Sequence, residues 1–438
     1  MSLLSFGRER GVSTPRRMAF RRTGFSAGPS INTFRRLPAL LFLFALAAPA
    51  QTLARPGLAG SGLNLDPWWK QAVFYQITNA PADYKSIAAQ LDALHLLGAD
   101  ALIVPMPTMP TSPAPDPALD DFDELIHQAA LRGMRVLLTF TAPSVNTDLA
   151  PTARFWLSRG VAGFRLRTPP YATPQDAQSL VQALRKITNS VVGQRIVLSD
   201  FNPSAIPFAL PASPSRRAST AHSNRSADST GSQLQIDSQM SHIAQADAFN
   251  IRPLLAQSLA TPNLLLDFRP PASPLGSPDP YPTLARAIAA LQLTTHSAAL
   301  IDADPNLELQ PAIPSANPLL ATQPSPTLAD WLNKLSALHH GNATVRYGNV
   351  TPLNFDTQNA LVWVIHPPAK TASAPPIVVA CNLSSSPLQL SLNSAIHGLN
   401  LRGSYLLTLL RTDQAMGAQD LGSVILPPFA VYIGELHR

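Results

Sequence analysis

Residues Thr152–Thr168 read TARFWLSRGVAGFRLRT. Ala153–Arg159 has helical spacing, Gly160 is a stop, and Ala162–Arg167 is a continuous, mostly apolar run of strand length. A helix that ends on glycine and passes at once into a buried strand is half of a βαβ unit. A buried strand on this pattern calls for parallel neighbours with helices covering both faces.

Those neighbours are present on either side. Upstream, Val73–Ile77 reads as a strand, Lys85–Gly98 as a helix, Ala101–Val104 as a strand, Asp121–Gly133 as a helix and Arg135–Thr141 as a strand. Downstream, Asp176–Ile187 reads as a helix and Arg195–Phe201 as the fifth strand. Asp247–Arg252 and Asn263–Phe268 are the candidate sixth and seventh strands. Thr283–Thr295 is a helix, Ala298–Asp302 the eighth strand and Leu328–His339 a closing helix. Eight strands alternating with helices predict an α/β (β/α)₈ TIM barrel over residues 66–340. From 341 to 438 the period changes to two, in ALVWVIHP, PIVVACNLS, LQLSL, GSYLLTLL and SVILPPFAVYIGEL, with no helix between. That predicts a small antiparallel all-β sandwich domain.

The remaining segments are not barrel. Residues 203–245 are rich in Ser, Ala, Arg and Thr without periodicity and read as a disordered insertion after the fifth strand. Pro270–Pro282 and Ala312–Pro326 are proline-rich loops. Residues 1–34 read as an Arg-rich, disordered extension. Residues 35–50 have the parts of a cleaved signal peptide: Arg35 and Arg36, the apolar run Leu37–Pro49, and Ala48-Pro49-Ala50 before Gln51. The run falls short of the roughly 20 residues of a spanning helix. Export to a periplasmic or extracellular compartment is therefore expected, with no membrane attachment after cleavage.

The formal charge of +6 does not mark a nucleic-acid surface. Eight arginines and one glutamate put +7 within residues 1–50, leaving the rest at −1. The single cysteine, Cys381, rules out an internal disulfide and a Cys-based zinc site. No histidine pair has metal-ligand spacing, and no Gly-rich phosphate loop is present, so no cofactor or metal is expected.

The stretch Gly163-Phe164-Arg165-Leu166-Arg167 resembles the fourth strand of the α-amylase superfamily of glycoside hydrolases, which reads G-F-R-x-D. The opening strand Asp66–Ile77, the segment LARAIAALQLTTHSAALID and the ending Leu426-Pro427-Pro428-Phe429-Ala430 carry the same resemblance. It implies a retaining α-glycosidase barrel of α-glucan metabolism, with its site at the C-terminal ends of the strands. The functional positions depart from the family. The nucleophile position holds Arg167. The acid/base glutamate falls at Asp200, one methylene shorter. The seventh-strand N-H-D aligns with Asp267-Phe268-Arg269, so its last acid is Arg269. The third-strand polar positions hold Thr139, Pro143 and Ser144, and the Tyr-Gly-Glu turn has become Asp302-Ala303-Asp304. The loop Ala142–Pro151 is too short for the domain the family inserts after its third strand.

These departures predict a pseudoenzyme. An arginine beside the anomeric carbon cannot attack it, and at ~4 Å with an effective dielectric of ~20 it would oppose developing positive charge by about 4 kcal/mol. The expected function is binding of an oligo- or polysaccharide without hydrolysis. Candidate substrate-binding residues are Tyr75, Arg165, Arg167, Asp267 and Arg269, with Asp200 the one weak catalytic candidate. Each has a plainer reading. Arg165 pairs with Asp200 or another inward acid, Arg167 and Arg269 form salt bridges to Asp200 or Asp267, and Tyr75 packs at the rim. Two rival functions stay in play. One is an active glycosidase using the displaced acids Asp200, Asp267 and Asp302. The other is a non-catalytic protein-interaction scaffold. Oligomeric state is not legible in the sequence.

Overall fold

The computed structural model describes residues 67–78, 83–110, 116–200, 232–243, 245–269, 281–302, 327–371 and 373–438. The chain divides into two units, Met1–Ala54 and Arg55–Arg438. The first unit, and with it the arginine-rich extension and the signal segment, lies outside the described residues. So do 203–231 of the Ser-rich stretch and most of both proline-rich loops.

The second unit opens with β1 (Val73–Gln76), then α1 (Tyr84–Ala89) and α2 (Leu91–Leu96), β2 (Ala101–Pro105), α3 (Pro117–Leu131), β3 (Arg135–Thr141), α4 (Ala150–Ser158) and β4 (Gly163–Arg167). It continues with α5 (Pro174–Asn189), β5 (Ile196–Asp200), β6 (Leu234–Asp237), α6 (Ala248–Leu259), β7 (Leu264–Leu266), α7 (Tyr281–Thr295) and β8 (Ala299–Asp302). All eight strands join one parallel sheet in the order β7-β6-β5-β4-β3-β2-β1-β8. The ends β7 and β8 lie side by side, so the sheet is a nearly closed barrel.

Local chemistry explains the helices. Thr173 and Asp176 form a capping box at α5, with Pro174 at the first position. Asp116 caps α3 ahead of Pro117 in the same way. On α4 the buried face is Ala153, Trp156 and Leu157. Trp156 is fully buried, edge-on to Phe122 of α3 at 5.2 Å, a burial that contributes about 3 kcal/mol. Gly163 opens β4 because no side chain fits there: a Cβ would stand 2.1 Å from the carbonyl oxygen of Ile196 on β5.

The period-two rule sorts each strand. Tyr75, Leu102, Val104, Leu138 and Leu166 face the helices in one core cluster. Phe74, Ile103, Leu137, Leu198, Leu265 and Leu300 fill the barrel interior in another, with Trp68 and Trp69 packed against it from the N-terminal end.

Two sequence expectations are corrected. Asp247–Arg252 is not the sixth strand; Asp247 accepts from the amide of Asn250 and caps α6. The sixth strand is Leu234–Asp237, inside the span expected to be a disordered insertion. It pairs with both β5 and β7. The helix expected over Lys85–Gly98 is divided at Gln90 into α1 and α2.

The closing helix α8 (Leu328–Gly341) and α9 (Ala343–Tyr347) lead into β9 (Asn349–Leu353), β10 (Ala360–His366), β11 (Ile377–Asn382) and β12 (Leu388–Leu390). Then come α10 (Asn393–Gly398), β13 (Tyr405–Arg411), β14 (Ala418–Asp420), β15 (Val424–Leu426) and β16 (Val431–His437). The six-stranded sheet runs β14-β13-β16-β11-β10-β9 and a two-stranded sheet pairs β12 with β15. The short helix α10 was not expected in this region; Ile396 is the residue it buries. One face of the large sheet, with Leu361, Trp363, Val379 and Ile433, packs into the helical layer of the barrel. The other face, with Val362, Val378, Ala380 and Tyr432, packs on the small sheet through Leu390, Val424 and Leu426. Burial on both faces is why β10 and β11 are apolar nearly throughout. Trp363 fixes the joint by donating to Thr294 Oγ1 on α7 at 3.1 Å.

Among the described residues no helix is long and apolar enough to cross a membrane.

Candidate functional site

Continuing the period-two alternation of the barrel interior toward the C-terminal strand ends places Gln76, Thr139, Arg165, Arg167, Asp200, Asp267 and Asp302 on the inward side. Gln76 closes β1, Arg165 and Arg167 end β4, Asp200 ends β5, Asp302 ends β8, and Asp267 follows β7.

Arg165 is the hub. Its residue is 3% exposed, the deepest charge among these groups. The register sets it beside Thr139 on β3 and Leu198 on β5. Its guanidinium rises to Asp200 Oδ1 at 3.4 Å and to Asp267 Oδ2 at 3.7 Å, both from the same nitrogen, Nη2. Its Nη1 donates to Gln76 Oε1. The Gln76 amide in turn donates to Asp302 Oδ1 at 3.3 Å. One arginine thus engages two acids directly and a third through Gln76. Its Nε has no hydrogen-bond partner among the described residues.

The acids respond to burial. Burial raises the Asp267 carboxyl above the usual carboxylate range, and Arg165 only partly opposes this. Burial, reinforced by the neighbouring charge of Asp267, pushes Asp302 up to about 6, against the pull of Arg165, Arg269 and Arg167. Asp200 is more open, its side chain 46% exposed.

Arg167 stands one step further out on the same face, in an exposed position. It lines a cavity of about 330 Å³ at the barrel mouth, with Gln76, Thr78, Met106, Thr139 and Thr141 among its neighbours. Ile77 and Pro105 complete the wall. Thr141 is its cross-strand partner on β3. The backbone carbonyl of Arg167 accepts from the amide of Ala142 at 3.0 Å, but among the described residues its guanidinium makes no hydrogen bond or ion pair, unlike the salt bridge to Asp200 or Asp267 expected from the sequence. Arg165 has taken both of those acids. Among the described residues Arg167 is also the one charged side chain in the cavity wall.

The other expected residues are placed as follows. Tyr75 is 1% exposed and packs in the layer between sheet and helices, so its ring is not offered to a ligand at the mouth. Arg269 is exposed just beyond Asp267, and its backbone amide donates to Ser241 Oγ at 2.8 Å. Pro143 and Ser144 lie in the loop after β3 and outside the cavity wall, whereas Thr139 is within it. Ala303 and Asp304 lie outside the described residues.

Sequence reasoning missed Gln76 and Thr141. Gln76 was visible as the one polar residue in the apolar run Val73–Ile77, and Thr141 as the last inward position of β3. Among the described residues no group of three His, Cys, Asp or Glu side chains gathers as metal ligands.

No family model matches the chain. Over 109 residues it is 33% identical to trehalose-6-phosphate hydrolase of Escherichia coli (strain K12), a match covering 20% of this chain and 20% of that protein. The chain therefore aligns with about a fifth of the length of that curated relative. Solved structures match far more widely. The isomaltulose synthase of Klebsiella sp. LX3 superposes with a TM-score of 0.58 at 14% identity, over 85% of this chain and 100% of that one. The isomaltulose synthase of Erwinia rhapontici NX5 gives 0.56 at 15% identity, over 86% and 100%. An inactive trehalulose synthase variant crystallised with isomaltulose gives 0.54 at 14% identity, over 85% and 100%. The chain resembles the α-amylase superfamily in the Gly163–Arg167 motif and in the barrel-plus-β-domain fold.

Proposed function

We propose that the protein is an exported, non-hydrolytic relative of the α-amylase superfamily that binds carbohydrate at the mouth of its barrel. The observation that carries this reading is the occupation of the β4 end. Arg167 stands where the resemblance puts the nucleophile, and Arg165 draws in Asp200 and Asp267. A carboxylate oxygen engaged by a guanidinium is turned away from a glycosidic bond in the cavity. A guanidinium facing the cavity has no lone pair with which to attack an anomeric carbon. The sugar chemistry named for the similar proteins supports a carbohydrate ligand, as does the mixed polar and apolar wall of the cavity.

A glycan-binding screen and a reducing-sugar assay on the purified full chain test the reading together. Binding to maltooligosaccharides with no release of reducing ends is the expected result. Hydrolysis that disappears on Asp200→Asn would refute it.

A second reading has one specific observation in its favour. Asp302, with its carboxyl near 6, and Asp267, also raised, are protonated closer to neutrality than ordinary acids, as a general acid must be. On that reading hydrolysis is present and fails on Asp302→Asn.

Export rests on residues 35–50. Sequencing the N-terminus of the mature protein checks it: a start at Gln51 supports cleavage, and an intact Met1 opposes it.

A further inference from the structure

We infer that the mouth cavity is built for a small sugar bearing an oxyanion, a phosphate ester or a carboxylate, gripped by Arg167 together with Thr141 and Thr139. This rests on the carbohydrate reading above and narrows it to an anionic class of ligand.

The geometry supplies the reasons. Among the described residues the wall contains one charged side chain, Arg167, and no acid. That guanidinium has no hydrogen bond or ion pair among the described residues, so its fork of N–H donors is open to the cavity. A planar guanidinium matches the two oxygens of a carboxylate or phosphate in a bidentate contact. Thr141 sits directly across the β3–β4 ladder from it, and Thr139 one step deeper on the same face. Both hydroxyls line the same space and can donate to the same oxyanion.

The neighbouring acids have other hydrogen-bonding partners, though Asp267 and Asp302 still feel the charge of Arg167. Asp200 and Asp267 reach Arg165, and Asp302 is held by Gln76. The fixed negative charge of the mouth is partly neutralised by these contacts. Arg167, exposed at the end of β4, is within reach of an anion entering from solvent.

The rest of the wall suits a sugar rather than a bare ion. Met106, Ile77 and Pro105 offer apolar contact for the C–H face of a pyranose, and Thr78 a hydroxyl for a ring substituent. The volume of about 330 Å³ lies at the small end of ligand pockets, which run from about 300 to 1,000 Å³. It accommodates a monosaccharide unit with its anionic group, not a buried polymer.

The test is titration calorimetry on the full chain with glucose 6-phosphate, glucuronate, glucose, maltotriose and inorganic phosphate, at low and at high salt. The expected result is binding of glucose 6-phosphate or glucuronate at least tenfold tighter than glucose, weakening with salt. The two anionic probes distinguish phosphate from carboxylate. Arg167→Gln should abolish the preference and Arg167→Lys keep part of it. Thr141→Val should weaken the anionic sugar several-fold and leave glucose unchanged. Arg167 is exposed, so these variants should keep the near-ultraviolet dichroism of the parent.

Equal binding of neutral and anionic sugars, or a preference that survives Arg167→Gln in a folded variant, overturns the inference while leaving the carbohydrate reading standing. Inorganic phosphate binding as tightly as glucose 6-phosphate overturns the sugar part. Binding of none of the probes overturns both readings.

Discussion

Replacing Arg165 by methionine tests whether one buried cation organises the barrel mouth. The side chain keeps much of its apolar length and loses every donor. Asp267 then loses a counter-ion at 3.7 Å. At an effective dielectric of ~20 that attraction is about 4 kcal/mol. Asp200 lies at 3.4 Å but its side chain is 46% exposed, so its share is under about 1 kcal/mol after screening. The bond to Gln76 adds roughly 1 kcal/mol. Relief of the guanidinium's own burial offsets part of the sum. The net expectation is a loss of about 3 kcal/mol near neutral pH.

The pH dependence follows from the carboxyls. Asp267 already titrates above the 3.8 of the unfolded chain, chiefly through burial, and Arg165 is the leading influence holding it down. Without Arg165 it titrates higher still. A raised carboxyl costs stability where it must ionise, and that cost vanishes as pH falls through its folded value. The deficit of Arg165→Met should therefore shrink between pH 7 and pH 4, close to the 3.8 of the unfolded carboxyl. Urea unfolding followed by tryptophan fluorescence at both pH values measures it. The double variant Arg165→Met with Asp267→Asn should recover most of the loss. A deficit under about 1 kcal/mol, or one equal at both pH values, would refute the hub assignment.

Three further outcomes are expected. Burial lowers both His296 and His339 to about 4, so the folded chain refuses protons that the unfolded chain accepts below about 6.5. Stability should fall as pH drops from 6.5 toward 4, by about 2 kcal/mol per histidine between pH 7 and pH 5; urea midpoints across that range check this, and His339→Asn should flatten the slope. Gly163→Ala drives a methyl to 2.1 Å from the Ile196 carbonyl and should destabilise by ~3 kcal/mol or more, read as a lowered melting temperature. Cys381 is fully buried and burial pushes its thiol well above the usual range; a thiol reagent should label none of it in the native protein and all of it after unfolding.

Most of the barrel was legible because its strands are short apolar runs closed by glycine-stopped helices. The third strand was read to the residue, as Arg135–Thr141. The sixth strand was not. Leu234–Asp237 is four residues, two of them polar, set in a Ser-rich context, and its identity comes from ladders to β5 and β7 that no local pattern announces. The segment after it misled in the opposite direction. Pro253 sits inside α6, where proline normally argues against a helix, yet the Asp247 cap and the buried Ile251 and Leu255 prevail.

At the site, Arg165, Arg167, Asp200, Asp267 and Asp302 were all legible as strand-end residues. Which cation reaches which acid was not. Register alone puts Arg165 opposite Leu198, and only the three-dimensional reach of its side chain brings it to Asp200 and Asp267, leaving Arg167 to the cavity. Tyr75 failed for a simpler reason: on a strand covered on both sides, one residue's shift in parity decides between mouth and core.

The bond from Arg165 to Gln76, and from Gln76 to Asp302, has a consequence for which side chains position 167 tolerates. A substitution placing an acid at 167 would set a new negative charge near three acids already linked, directly or through Gln76, to one guanidinium. Position 167 and the acids beneath it therefore answer to one another in charge, so a change at either is felt by both.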